Sequence, residues 1–176
     1  MLPTGKKRPN TMNDFKSKGF RIANSSTEVK LAYTGFLLFA FIGYLTIALI
    51  GLLRVGPGYE QVVTHYRGSD TDEAFPRAVG QMLEEAHFHA FIEGLILLVL
   101  AHLFVATSVS QRVKFTVIIS AFTATLLDLA SPWLIKYVAP GFALLQMTCW
   151  VVMIVTALFF IIVPIREMWF TNGRVR

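Results

Sequence analysis

Four long apolar runs dominate the chain and limit the folds that it can adopt. They cover residues 31–53, 86–108, 115–135 and 141–165. Each run has close to the ~20 residues that an α-helix needs to cross a hydrocarbon core of about 30 Å. Of the 176 residues, 55% are hydrophobic and 15% are charged, which is too apolar for an ordinary soluble domain. The sequence therefore predicts an all-α fold, a four-helix transmembrane bundle.

The charges between the runs predict how the bundle lies in the membrane. Residues 1–30 hold seven Lys and Arg side chains against two acidic ones, whereas the link after the first run is acidic. The next link holds Arg112 and Lys114. Cytoplasmic loops carry the excess of Lys and Arg, so both termini should be cytoplasmic and the acidic link should be outside. Membrane orientation and contact with anionic lipid then explain the net charge of +5, and we expect no nucleic-acid partner.

The chain divides into an arm, a membrane domain and a tail. Residues 1–30 should form a basic cytoplasmic arm that is mobile or lies at the membrane surface. Residues 31–170 form the membrane domain, with an outer link at 55–85, and residues 171–176 form a cytoplasmic tail. The lipid bilayer is therefore the first expected partner of this chain.

Proline and glycine predict where several elements begin and end. The Gly56-Pro57-Gly58 turn should end the first helix. Phe75-Pro76 should start a short surface helix that leads into the second span, so that His87 and His89 lie in the first turns of that span. Pro132 should end or kink the third span. The short link at 108–114 predicts that the second and third spans pack as an antiparallel hairpin.

The second span is unusual because it carries His87, His89, Glu93 and His102. Ionisable groups within a membrane are costly, and a functional interpretation is the default. At about 100° per residue, His89 and Glu93 follow Glu85 on one stripe of the helix, whereas His87 lies about 160° away from His89. One helix therefore cannot easily aim both imidazoles at one ion.

Depth in the membrane brings a second helix to this stripe. Asp128, near the outer end of the third span, should share a level with His89 and Glu93, and His65 can fold over them from the outer link. Imidazole and carboxylate together suit zinc, iron or copper. The predicted metal ligands are His65, His87, His89, Glu93 and Asp128.

Plainer interpretations of these residues remain open. Histidines near a helix start can lie in the headgroup region and bind nothing. His102 can be a neutral imidazole that is hydrogen-bonded to a neighbouring helix. Asp128 can brace a kink at Ser131-Pro132, and a buried carboxyl group only needs a proton, a hydrogen bond or a partner.

A single b haem is the other cofactor that the pattern allows. Histidine commonly ligates haem iron, but the first, third and fourth runs contain none. The second ligand would then come from His65, from a methionine such as Met147 or Met153, or from a second copy or another subunit. The candidate haem ligands on the second span are His87, His89 and His102.

Five motifs of this chain occur together between residues 65 and 133. They are His65-Tyr66-Arg67-Gly68, Phe75-Pro76, Glu85-Ala86-His87-Phe88-His89, His102-Leu103-Phe104 and Leu127-Asp128-Leu129-Ala130-Ser131-Pro132-Trp133. These motifs resemble a group of small four-span bacterial inner-membrane proteins. The resemblance covers most of residues 55–165 and implies that architecture and a bacterial inner-membrane location, without a particular activity. Separately, Glu85-x-His87-x-His89 is similar to a pattern at the start of a helix in haem-copper oxidases and nitric oxide reductases, whose other haem and copper histidines this chain lacks.

Three functional hypotheses remain open. The first is a redox-associated protein with a His/carboxylate site in the outer leaflet, which binds a metal or one b haem and works with a respiratory electron-transfer complex. The alternative is a non-catalytic accessory or assembly subunit. The third is a small proton or cation transporter that uses Glu93 and Asp128. Other membrane subunits or a second copy of the chain are the expected protein partners, and no sequence motif assigns a reaction.

Overall fold

A computed structural model describes residues 21–70 and 73–171, and these residues are mostly helical. Among the described residues, a 3-10 turn at Ile22–Asn24 precedes five α-helices, of which all but the second are long and apolar enough to cross a membrane. The predicted four-helix transmembrane bundle is confirmed. The helices are α1 (Thr27–Arg54), α2 (Tyr59–Arg67), α3 (Val79–Val105), α4 (Gln111–Tyr137) and α5 (Phe142–Phe170).

The two ends of the bundle differ in their connections. The link end carries α2 and residues 68–78, and it corresponds to the predicted outside. The hairpin end carries the turn at 106–110 between α3 and α4. These two helices pack against each other as predicted, and α4 also packs extensively on α5. Since four helices cross, α1 begins and α5 ends at the hairpin end, as the predicted orientation of the termini requires.

Two apolar clusters hold the bundle together. The larger cluster lies towards the hairpin end, where the rings of Phe104 and Phe160 meet edge to face with their centroids 5.3 Å apart. The smaller cluster joins Val62 and Tyr66 of α2 to Ile135 of α4 and to α5. Burial of these side chains fixes α2 across the link end.

Helix α1 is the least enclosed span. Leu37 and Ala40 are its buried residues, and α5 is its main neighbour. Beyond Ala40 its side chains are mostly exposed, although Tyr44 is half-buried against the larger cluster. In a membrane this exposed apolar surface faces lipid or another protein.

The predicted short surface helix is in a different place from the one expected. It occupies α2, whereas Phe75 and Pro76 are not helical. A proline disfavours the α conformation in the residue that precedes it, so Pro76 keeps Phe75 out of a helix. At the start of α2, the Gly58 amide donates to Gln61 Oε1 at 3.0 Å. At its end, Gly68 has a φ of 78°, a conformation that glycine tolerates best.

One predicted helix boundary was also wrong, and of the two outcomes predicted for Pro132 the structure excludes an end of the helix. Helix α3 begins at Val79 rather than near residue 86, because its polar first turns extend beyond the apolar run. His89 therefore lies about three turns inside the helix and not at its start. Helix α4 continues through Pro132 to Tyr137.

Ser131 explains why α4 continues past Pro132. Pro132 has no amide hydrogen, so the carbonyl of Asp128 loses its usual helical donor. The Ser131 hydroxyl donates to that carbonyl at 2.9 Å. The backbone of Asp128 thus takes part in accommodating the proline, and this contact does not involve its carboxyl group.

The last residues of the predicted arm pack against the hairpin end. Ile22 is fully buried, and its amide donates to the carbonyl of Ala106 at 3.0 Å. Ser26 precedes the first residue of α1. Residues 1–20 of the arm and 172–176 of the tail lie outside the described residues.

Candidate functional site

A pair of ionisable side chains lies in the interior of the bundle. His89 Nδ1 and Glu93 Oε1 are 2.8 Å apart, within hydrogen-bond distance. The two residues are one helical turn apart on α3, so their side chains meet on the same face. Glu93 is buried, with 7% of its surface exposed, whereas His89 is half-buried.

Asp128 of α4 completes this group, which we name the polar cluster (His89, Glu93 and Asp128). Its carboxyl group interacts electrostatically with both His89 and Glu93, and its side chain contacts Trp150 of α5. The Oδ1 atom is buried and has no hydrogen-bond partner among the described residues. The structure thus places two carboxyl groups and one imidazole from two helices within electrostatic range of one another.

The helical rise gives the depth of the polar cluster. Counted at about 1.5 Å per residue from the link end, His89 and Asp128 both lie about 14–15 Å along their helices. Trp150 lies about 12 Å along α5, and Tyr44 of α1, which interacts electrostatically with Glu93, about 15 Å along α1. Four helices therefore contribute a polar or aromatic side chain at one level in the link-end half of the bundle.

The structure does not bring His87 and His102 to this cluster. Both side chains are exposed on the outer surface of α3. The ring of His87 packs edge to face on Phe91, with the centroids 5.2 Å apart. This placement follows from helical geometry, because the face of α3 that buries Glu93 turns both of these imidazoles outwards.

His65 lies at the link end, apart from the polar cluster. It is half-buried in α2 and lines a cavity of about 670 Å³ together with Arg54 and Arg77. Burial, followed by the charge of Arg77, lowers the pKa of His65 below its ordinary value of 6.5, and Glu85 opposes this shift. The electrostatic partners of His65 are therefore Arg77 and Glu85, and not the carboxyl groups of the polar cluster.

Glu85 lies between the cavity and the polar cluster. Arg77 donates a hydrogen bond to Glu85, and Lys136 donates one to the backbone carbonyl of Arg77. On α3, Glu85 precedes His89 by four residues, as His89 precedes Glu93, so successive groups are about 6 Å apart along the axis. A stripe of ionisable groups thus runs from the link end to Glu93.

The arrangement of these groups bears on the predicted cofactors. Within residues 21–70 and 73–171, no three His, Cys, Asp or Glu side chains are grouped as metal ligands. A metal ion at His89 would therefore need ligands from outside this set. For a haem, His89 presents one ring nitrogen, Nε2, since Nδ1 faces Glu93.

Sequence reasoning missed a buried hydrogen bond at the link end. Gln146 of α5 donates to the hydroxyl of Tyr66 at 3.0 Å, and both residues are buried. Burial raises the pKa of Tyr66, while the bond from Gln146 opposes this shift. Tyr66 was noticed only as part of a motif, and its partner lies 80 residues away along the chain. No local pattern could have indicated this pair.

Two buried charged residues at the hairpin end were also missed. Lys114 Nζ donates to the carbonyls of Val105 and Thr107 at 2.7 and 2.6 Å. Glu167 Oε2 accepts from the amide and the hydroxyl of Ser108 at 2.6 and 3.0 Å. The last carbonyls of a helix lack helical donors, so a lysine that follows a short turn was a usable signal for the first of these contacts.

These features define a multi-pass helical membrane protein with ionisable groups in its interior. A family model described as a transmembrane helical domain matches residues 56–175, which is more than half of the chain. The chain therefore belongs to this family of transmembrane helical domains, which confirms that part of the predicted resemblance. The matched region contains α2 to α5 and the whole polar cluster. No curated protein and no solved structure matches the chain.

Proposed function

We propose that this protein is a membrane subunit whose polar cluster binds a proton and exchanges it with the link end. The supporting observation is that the buried carboxyl group of Asp128 lies in electrostatic range of Glu93, beside the 2.8 Å pair of His89 and Glu93. In a low-dielectric interior, unpaired ionised groups are expensive. The imidazole neutralises one carboxylate, and a bound proton neutralises the other.

The stripe on α3 supports a route for this proton. Glu85 contacts Arg77 at the link end and stands four residues before His89. A proton that enters near His65 would pass along Glu85 to His89 and then to Glu93 and Asp128. In a bacterial inner membrane, our sequence-based prediction of location, the proton would come from outside the cytoplasm.

A partner complex fits this role better than independent activity. Because α1 buries little of its surface, it offers an apolar face to another subunit or to a second copy of the chain. A respiratory electron-transfer complex is the partner class that we propose, since its redox steps take up or release protons. Without such proton coupling, the same surface would suit an accessory or assembly subunit.

Cofactor binding is a second candidate function, and the geometry of His89 favours it. When an imidazole ligates a metal, its other nitrogen commonly donates to a carboxylate that orients the ring. Glu93 stands in that relation to His89 Nδ1, which leaves Nε2 for a metal ion or one b haem. A partner chain would have to supply further ligands. His87 or His102 on the exposed face of α3 could serve such a shared site.

Infrared spectroscopy of the protein in lipid nanodiscs tests the proton site. We expect the acid-minus-neutral difference spectrum to contain the stretching band of a protonated carboxyl group. That band should disappear in Glu93→Gln or Asp128→Asn and should persist in the control Glu28→Gln, which changes an exposed residue of α1. Identical spectra for all four proteins would overturn the proposal.

Absorption spectroscopy and elemental analysis test the second candidate on the same preparations. A Soret band, or stoichiometric zinc, copper or iron, that is lost in His89→Ala would support a cofactor at His89. If purified protein is colourless and His89→Ala has the same metal content as the wild type, this candidate is wrong. The carboxyl band tests the proton site independently of this result.

A further inference from the structure

The cavity at the link end has walls from four parts of the chain. They are the end of α1, one face of α2, the extended residues 74–78, and Gln81 near the start of α3. Its volume of about 670 Å³ is in the range of small-molecule sites. The cavity lies outside the apolar cores of the spans, so a water-soluble ligand or a lipid headgroup can reach it.

Hydrogen-bond donors outnumber carboxylates in the cavity wall. Arg54 and Arg77 supply guanidinium groups, and Glu60 is the one carboxylate among the described lining residues. Arg77 is paired with Glu85, whereas Arg54 takes part in no salt bridge between described residues. Among the described lining residues, the guanidinium of Arg54 is thus the one that has no ion-pair partner and remains for a ligand.

Further neutral donors surround these guanidinium groups. The lining includes the hydroxyl of Thr64 and the amide of Gln81. The Nε of Arg77 is buried and has no acceptor among the described residues. Phe75, at the same cavity, has 92% of its surface exposed, which is unusual for an aromatic ring outside the spans. Donors beside an exposed ring suit a ligand that has both an anionic group and an apolar part.

We propose that this cavity binds a compact organic anion that carries a carboxylate or phosphate group, with Arg54 as its main charged contact. Arginine matches these groups through paired N–H donors. The anion could be a soluble metabolite or the headgroup of an anionic lipid. The site does not depend on the proton site proposed above.

Calorimetric titration with benzoate and with inorganic phosphate tests the proposal, using protein in phosphatidylcholine nanodiscs. We expect at least one probe to bind the wild type. The affinity of Arg54→Gln for that probe should be lower by a factor of about ten or more. Arg112→Gln, at the hairpin end, is the matched control and should bind as the wild type does. Equal affinities for Arg54→Gln and the wild type would overturn the proposal.

A second arm separates the two sources of the anion. In nanodiscs that contain phosphatidylglycerol, a lipid occupant would block the probes, and the wild type would retain more phosphatidylglycerol through delipidation than Arg54→Gln does. A soluble occupant would leave probe affinity unchanged. If neither probe binds in phosphatidylcholine and phosphatidylglycerol retention is equal in the two proteins, the proposal is wrong. Glu93→Gln should behave as the wild type throughout, which keeps this test independent of the proton site.

Discussion

The polar cluster and the buried charges at the hairpin end place similar side chains in different surroundings. Lys114 and Glu167 contact the backbone at helix ends and a turn. In the polar cluster, by contrast, His89 and Glu93 contact each other, and the carboxyl group of Asp128 interacts electrostatically with both. A charged side chain that hydrogen-bonds to unpaired backbone groups has a structural role. Ionisable side chains that interact with one another can exchange a proton instead.

The contacts at the hairpin end converge on one short turn. Lys114 binds carbonyls on both sides of Ala106, whose own carbonyl accepts from the amide of Ile22. Glu167 binds Ser108 two residues later. The turn is thereby connected to α4, to α5 and to the segment before α1. Loss of one of these contacts should loosen several helices together.

The largest expected effect comes from Lys114→Met. This change leaves two carbonyls without a donor, so we expect the free energy of unfolding to fall by about 2–4 kcal/mol. The matched control Arg112→Met changes an exposed side chain two residues away and should stay within about 0.5 kcal/mol of the wild type. Reversible unfolding in mixed micelles measures both. Similar losses for the two variants would show that Lys114 has no special structural role at the hairpin end.

Tyr66→Phe should have an intermediate effect. It removes the acceptor of the Gln146 amide inside the bundle, so we expect a loss of about 1 kcal/mol in the free energy of unfolding. The same measurement on Tyr59→Phe, at a half-buried position on α2, provides the control. A wild-type value for Tyr66→Phe would mean that this buried bond does not hold α2 on the bundle.

Glu93→Gln should change stability less than either variant above. It keeps the shape of the side chain, and the carboxylate of Asp128 remains to neutralise His89, so no buried charge is left unpaired and the free energy of unfolding should stay within about 0.5 kcal/mol of the wild type. Unfolding in mixed micelles measures this change. A loss as large as that of Lys114→Met would show that the polar cluster, too, is mainly structural.

The smallest effect is the pH dependence that His65 contributes. Because its pKa is lowered, the folded protein binds this proton less readily than the unfolded chain does. Stability from this residue is therefore complete above 6.5, its ordinary pKa, and declines as the pH falls below that value. Thermal unfolding on either side of this pH should show the decline in the wild type and a smaller one in His65→Gln. If the stability of the wild type and that of His65→Gln depend on pH in the same way, the lowered pKa of His65 is contradicted.

Helical geometry made part of this architecture predictable. The length of the apolar runs indicated four spans, and the short link indicated a hairpin, because both depend on local distances along the chain. The common stripe of Glu85, His89 and Glu93 followed from the same periodicity. The same periodicity gave the angle between His87 and His89 around the helix axis. It did not indicate which of the two faces the interior of the bundle. In a membrane both faces of a helix are apolar, so hydrophobic periodicity gives no direction.

The remaining features depend on contacts between distant parts of the chain. Glu167 and Ser108 are 59 residues apart, and nothing near either residue indicates the other. The apolar run understated α3 because polar residues continue the helix beyond it. The sequence left open whether Pro132 ends or kinks the third span, because the hydroxyl of Ser131, which compensates for the missing amide, acts only once the helix exists.

Isotope exchange of the carboxyl proton in the polar cluster tests the contrast most directly. Wild type, Glu85→Gln, Glu93→Gln and Glu167→Gln would be transferred in nanodiscs to heavy water and followed by infrared spectroscopy. We predict that the protonated-carboxyl band is absent in Glu93→Gln, shifts in the wild type and in Glu167→Gln, and shifts more slowly in Glu85→Gln. A band that persists in Glu93→Gln, or equal exchange rates in Glu85→Gln and the wild type, would contradict the account.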